Sequence, residues 1–180
     1  MLVSCHNGVG RRRAALTAKA GEVEVLLSVT SLLVSLGLVI AAASSGARFR
    51  PDDWYRQLKK PAWTPPNLAF PIAWGVLYLL MALAAWRVFM AEPSAWRTAG
   101  LVAYALQLAA NAAWSWLFFG RRQILLGLAD IALLLGLIVV TTALFSHVSA
   151  LAGWLMAPYL LWVMLALALN ASVWRRNRGA

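Results

Sequence analysis

Apolar residues along the chain gather into five long runs, separated by short polar or basic stretches and by one long proline-rich connection. The runs cover about 25–45, 67–90, 97–119, 122–146 and 151–174, each long enough to cross a hydrocarbon core roughly 30 Å thick. Helices satisfy their own backbone hydrogen bonds in lipid, so the pattern predicts an all-α membrane protein, a five-transmembrane-helix bundle forming one domain over 25–177. The connection 46–66 is long and the other three are short. Residues 1–24 (MLVSCHNGVGRRRAALTAKAGEVE) are polar and basic, and read either as a disordered tail or as the product of an over-early start site. Basic-then-apolar order also fits a signal peptide. The length of the run at Val25–Ala43 and the four spans after it favour a first membrane helix instead.

Within the spans, polar and aromatic positions repeat at helical spacing. Phe70, Trp74 and Tyr78 fall at i, i+4 and i+8, so they share one face of the second helix. Gln107, Asn111, Trp114 and Phe118 do the same on the third, and Tyr159, Trp162, Ala166 and Asn170 on the fifth. At the α-helical rise, Trp74, Asn111 and Asp130 lie about 10–12 Å in from one membrane surface, and Gln107 and Trp162 roughly 18 Å. All five sit in the half of the bilayer beneath the 46–66 connection. Three such faces turned inward predict an aromatic cavity with a few amides and one carboxylate, suited to a large flat apolar ligand with a polar edge.

The roof of that cavity is written in KKPAWTPPNLAFPIAW, Lys59–Trp74. Pro61, Pro65, Pro66 and Pro71 restrict the unfolded chain, so a lid here is ordered at a low entropic cost. Trp63 belongs to the roof, Phe70 and Trp74 to the first wall, and Lys59 and Lys60 are candidates for meeting headgroups or a ligand's carboxylates. Each residue also has a plainer role open to it. Trp63, Trp86, Trp96, Trp154 and Trp174 lie near predicted helix ends, where tryptophans anchor to headgroups, with Trp63 the candidate exception. Trp74 and Trp162 fit either core packing or ligand contact. Gln107 and Asn111 fit either ligand contact or interhelical hydrogen bonds, worth about 0.6 kcal/mol on average in a membrane. Asp130 is the only acid well inside a span, and either serves function or pairs with Arg121, Arg122 or a neighbouring helix. On the opposite side of the third helix Ala105, Ala109 and Ala113 form a small-xxx-small seam, repeated by Ala132 and Gly136 on the fourth. That seam predicts a homodimer through the third helix; intramolecular packing is its other use.

Composition removes several classes. Of 180 residues, 62% are hydrophobic and 12% charged, more apolar surface than a soluble domain of this length hides. The net charge of +10 would suggest nucleic acid in a soluble chain. Here the Lys and Arg residues cluster at the ends of the apolar runs, so they read as topogenic and lipid-contacting, and no nucleic-acid partner is expected. Cys5 is the single cysteine and His6 and His147 the only histidines, which excludes an internal disulfide framework and makes no metal site. Ten basic residues, including Arg48, Arg50, Lys59, Lys60, Arg121 and Arg175, share the C-terminal side, against six on the other. The positive-inside rule places that side, with the 46–66 connection, in the cytoplasm.

WYRQLKKPAWTPPNLAFPIAWGVLY (Trp54–Tyr78), QLAANAAWSWLFFGRRQ (Gln107–Gln123), GLAD (Gly127–Asp130) and PYLLWVMLALALNASVWRRN (Pro158–Asn177) together resemble the tryptophan-rich sensory protein family, TspO. This is the bacterial counterpart of the mitochondrial translocator protein or peripheral benzodiazepine receptor. The match runs in unbroken order over about 50–177 and is specific in its combined motifs; the tail and first helix match loosely. The resemblance implies a five-helix TspO/MBR fold in a bacterial membrane, usually dimeric. It also implies porphyrin binding, and in some members binding of sterols and synthetic benzodiazepine- or isoquinoline-type ligands, under the first long loop. Carried over by motif, the tryptophan of FPxxW is Trp74, that of PYxxW is Trp162, the asparagine of QLxxN is Asn111, and the small position affecting affinity is Ala166. Trp63, Phe70 and Trp114 follow as further lining residues.

Porphyrin is thus expected as ligand rather than as an obligatory cofactor. The leading expectation is a membrane sensor, carrier or buffer of tetrapyrroles. An alternative implied by the resemblance is an enzyme degrading protoporphyrin in light and oxygen, with Trp74 and Trp162 as the residues involved; a dimeric scaffold with a lipid-filled cavity is a third. No His–carboxylate pair or activated thiol in the spans supports ordinary acid–base or nucleophilic catalysis. Animal members carry a sterol-recognition tyrosine where LNASVWRR (Leu169–Arg176) has Ala171 and Ser172, which leaves specific sterol binding doubtful.

Overall fold

The computed structural model describes residues 4–49 and 51–178, with side chains from residue 16 onward. Six helices follow in order: α1 (Ser4–Arg48), α2 (Asp53–Gln57), α3 (Ala69–Phe89), α4 (Ala95–Ser115), α5 (Ile124–Val148) and α6 (Ala150–Asn177). A π turn at Trp116–Gly120 prolongs α4. No strand occurs among the described residues. Five helices are long and apolar enough to cross a membrane, with α1 counted from Leu16.

Local chemistry fixes the ends. Ser94 caps α4 by accepting from the Arg97 N–H at 3.1 Å, and Ser149 caps α6 by accepting from the Ala152 N–H at 3.4 Å. Each satisfies one of the amides a helix leaves unpaired at its start. The same Ser149 is the whole connection between α5 and α6. Between α4 and α5 the chain turns through Arg122 in the left-handed region, at φ 55°.

The long helices pack in a ring: α1 lies against α3 and α4, α3 against α6, α6 against α5, and α5 against α4. Met81, Ile138, Phe145, Met156 and Tyr159 are wholly enclosed at its centre. Small residues Ala82, Ala84 and Ala85 let α3 approach its neighbours closely. Leu33, Leu106, Leu133 and Leu161 stand exposed on the outer faces, as lipid-facing positions do.

One feature departs from the expectation. The stretch 4–24 is helical and continuous with the first span, not a disordered tail; it contains no proline to break the helix. Within the connection 46–66, α1 extends into the start and α2 occupies the middle. The side chains of Cys5, His6 and Arg11–Arg13, and all of Arg50, lie outside the described residues.

Candidate ligand cavity

Between α1, α3, α4 and α6 the bundle encloses a cavity of about 840 Å³. That volume falls within the range of about 300–1,000 Å³ typical of small-molecule sites. Ala43, Gly46 and Ala47 of α1 line it, and their small size leaves the space open. Ser45, beside them, ties α1 to α4 by donating to the Ala112 carbonyl at 2.6 Å.

The other walls are aromatic. Trp74 stacks on Tyr78 one turn along α3, centroids 5.2 Å apart and planes 29° apart. Phe70 meets Trp162 of α6 edge-on at 5.8 Å. Trp114 of α4 stacks on Phe118 at 5.3 Å and 16°. Phe118 and Phe119 come from the π turn, whose longer loop, closed by the Arg121 N–H on the Trp116 carbonyl at 2.8 Å, brings both rings to the wall.

A chain of hydrogen bonds runs from the cavity into the core. The Tyr78 hydroxyl donates to Asn111 Oδ1 at 2.8 Å. Asn111 Nδ2 donates to the Tyr159 hydroxyl at 3.0 Å, which donates in turn to Gln107 Oε1 at 3.0 Å. Three helices are thereby pinned at one level, and the Asn111 amide is oriented by contacts on both its atoms.

The long connection covers one end of the cavity, with Phe49, Pro51, Tyr55 and Asn67 lining it. Asp52 caps α2 by accepting from the Tyr55 N–H at 3.2 Å and pairs with Arg122 at 2.7 Å. Tyr55 packs edge-on against Phe119 at 5.3 Å, and Lys60 lies over the Tyr55 ring at 4.4 Å. Asn177 holds Lys59 by two bonds of 3.1 Å, accepting from its N–H and donating to its carbonyl.

The Tyr55 N–H, and then the Arg122 guanidinium, hold the Asp52 carboxyl below its ordinary value, while partial desolvation opposes them. A depressed folded value means that this contribution to lid order is complete above the ordinary carboxylate range and is lost as pH falls through the depressed one. Hydrogen exchange over 52–57, corrected for its intrinsic pH dependence, is therefore expected to rise only in strong acid. In Asp52→Asn that pH response should vanish; an unchanged response would assign it elsewhere.

Of the residues singled out by sequence, Phe70, Trp74, Tyr78, Asn111, Trp114, Trp162 and Ala166 meet on this cavity. Gln107 does not reach it: the side chain is wholly buried at the end of the hydrogen-bond chain. Trp63, in the turn closed by the Thr64 hydroxyl on the Pro61 carbonyl, is also off the wall and 49% exposed. Asp130 is partly buried on α5 without lining the cavity, and among the described residues it has no ion pair with Arg121 or Arg122; Arg122 is committed to Asp52. Ala105 and Ala109 are exposed on the outer face of α4, with Ala113 half-buried beside them. Sequence reasoning missed Tyr55 on the loop helix, Phe119 on the π turn, and Phe49 and Asn67 in the irregular chain after α1 and before α3. Asn170, the last residue of the stripe on the fifth span, now α6, also lines the cavity.

A ring of apolar helices around an internal aromatic cavity, one end covered by a tethered loop, defines a multi-pass integral membrane protein. The chain belongs to the TspO/MBR family, whose model matches residues 29–175. It is similar to Protein CrtK of Rhodobacter capsulatus, 41% identical over 154 residues covering 85% of this chain and 96% of that protein. The tryptophan-rich sensory protein of Cereibacter sphaeroides is 41% identical over 137 residues, covering 76% and 85%. The translocator protein of Homo sapiens is 36% identical over 161 residues, covering 83% and 88%.

Proposed function

We propose that this protein binds a tetrapyrrole in its intramembrane cavity and acts as a sensor, carrier or buffer of porphyrin levels. The observation that carries the reading is the cavity itself: about 840 Å³, walled by Trp74, Phe70, Trp162 and Trp114, whose faces suit a flat conjugated ligand. In a protoporphyrin titration of detergent-solubilised protein, Trp74→Ala and Trp162→Ala should each weaken binding by about tenfold, the equivalent of one lost stacking face at 1.4 kcal/mol. Wild-type affinity in both variants overturns the reading.

Both tryptophans that the photochemical alternative requires lie on the wall. Illumination in air separates the two: a bilin-like absorbance absent from free porphyrin assigns degradation, and bleaching at the rate of free porphyrin leaves binding alone.

The exposed Ala105 and Ala109, flanked by exposed Val102 and Leu106, support a homodimer through α4 in which small residues let two backbones approach. Ala109→Leu is expected to shift the solubilised species to monomer in light-scattering chromatography; an unchanged mass refutes the seam. The basic C-terminal side, with the lid, faces the cytoplasm in this reading.

A further inference from the structure

A flat ligand with a polar edge needs a polar partner in the cavity. Asn111 has one N–H left to offer, since its Oδ1 already accepts from Tyr78 and its Nδ2 already donates once, to Tyr159. Asn170 is wholly uncommitted. Asn170, on the cavity wall of α6, is 3% exposed, and neither Oδ1 nor Nδ2 has a partner within the protein. The buried Nε1–H of Trp114 is likewise unpartnered. Most buried polar groups are paired, so two orphans on residues lining one cavity call for a reason.

The two share a neighbour. Phe118 stacks on Trp114, and it also packs against Gly127 of α5, where an added Cβ would come 3.0 Å from the Phe118 ring and 3.6 Å from Asn170 Nδ2. Gly127 thus leaves the amide and the ring a common niche where the π turn, α5 and α6 meet. Of these two orphans on the cavity wall, Asn170 offers a donor and an acceptor and Trp114 a donor only. Donors predominate, so the wall suits an acceptor oxygen.

We infer that Asn170, with Trp114, is the recognition point of the cavity for an acceptor oxygen, a carboxylate or carbonyl, on an otherwise apolar planar ligand. The inference rests on the tetrapyrrole reading and names the group that reads the ligand's edge. Contact requires the amide to rotate out from beside Phe118 as the ligand seats. Asn111 and Asn177 are bonded within the protein through both amide atoms and Gln107 through its Oε1, whereas Asn170 is bonded through neither.

The test compares protoporphyrin IX, which carries two carboxylates, with an octa-alkyl porphyrin that carries none. Asn170→Leu should lose roughly tenfold or more in affinity for protoporphyrin, the usual scale for a hydrogen bond to a charged group, and nothing for the octa-alkyl ring. Asn170→Ala, which only removes atoms, should show the same selectivity. Without ligand, Asn170→Leu should melt no lower than the wild type, because it buries no unpaired amide. Equal losses for both porphyrins, no loss for protoporphyrin, or a lower melting temperature in both variants would overturn the assignment. If the wild type binds the octa-alkyl ring but not protoporphyrin, the recognition point falls while the cavity reading stands; if it binds neither, both fall.

Discussion

Tyr159→Ala is expected to destabilise the protein by about 3–5 kcal/mol, the cost of deleting a wholly enclosed aromatic ring. The ring lies at 0% exposure and meets Trp74 edge-on at 6.1 Å and 62°. Its hydroxyl joins Asn111 and Gln107, so the truncation also strips a partner from two buried amides. Tyr159→Phe separates the contributions, because it keeps the ring and removes only the hydroxyl. Leaving buried groups unpaired costs about 1–3 kcal/mol in soluble proteins, whereas interhelical hydrogen bonds in a membrane average about 0.6 kcal/mol. Packing should therefore dominate. Melting curves of both variants in one detergent decide it: a phenylalanine variant as unstable as the alanine one would show that the hydrogen-bond chain, not the ring, holds α6 to α4.

That chain also shows where the sequence is readable and where it is not. The five spans are legible because lipid leaves little choice: an uncharged run of the right length becomes a helix. The aromatic and amide faces are legible because i, i+4 spacing fixes which side chains share a side, and Phe70, Trp74 and Tyr78 duly fall on one wall. What periodicity does not carry is partner choice. Gln107 and Asn111 look equivalent on their stripe, yet one is sealed in the core and the other reaches the cavity, a difference set by where Tyr159 meets α4. The π turn is invisible to a 3.6-residue pattern, so Phe119 was placed on no face. Trp63 failed for a related reason: in a loop, position along the chain does not define depth.

Gly153→Leu is expected to be damaging on a comparable scale, for a steric reason confined to the α5–α6 turn. A single residue, Ser149, joins these helices, so the last turn of α5 and the first turn of α6 are forced together. Gly153 is buried at that crossing, where an added Cβ would overlap the Ser146 hydroxyl and come 3.0 Å from Ser146 Cβ and 3.2 Å from its Cα. The hydroxyl can rotate, giving up its 2.7 Å bond to the Thr142 carbonyl, but the backbone atoms cannot. Relief must come from spreading the helices, which the one-residue connection resists. Overpacking a core costs about 1–3 kcal/mol, and a clash with backbone rather than side chain belongs at or above the upper end. The outer-face residue Gly136 provides the comparison, since a Cβ there meets nothing within 4 Å. Gly136→Ala should fold as well as the wild type or better, by up to about 1 kcal/mol from helix propensity. Purified yield and melting temperature of the two variants measure the contrast. If Gly153→Leu accumulates and melts like the wild type, α5 and α6 have room to separate at their joined ends, and the register that carries Trp162, Ala166 and Asn170 to the cavity must be held further along α6.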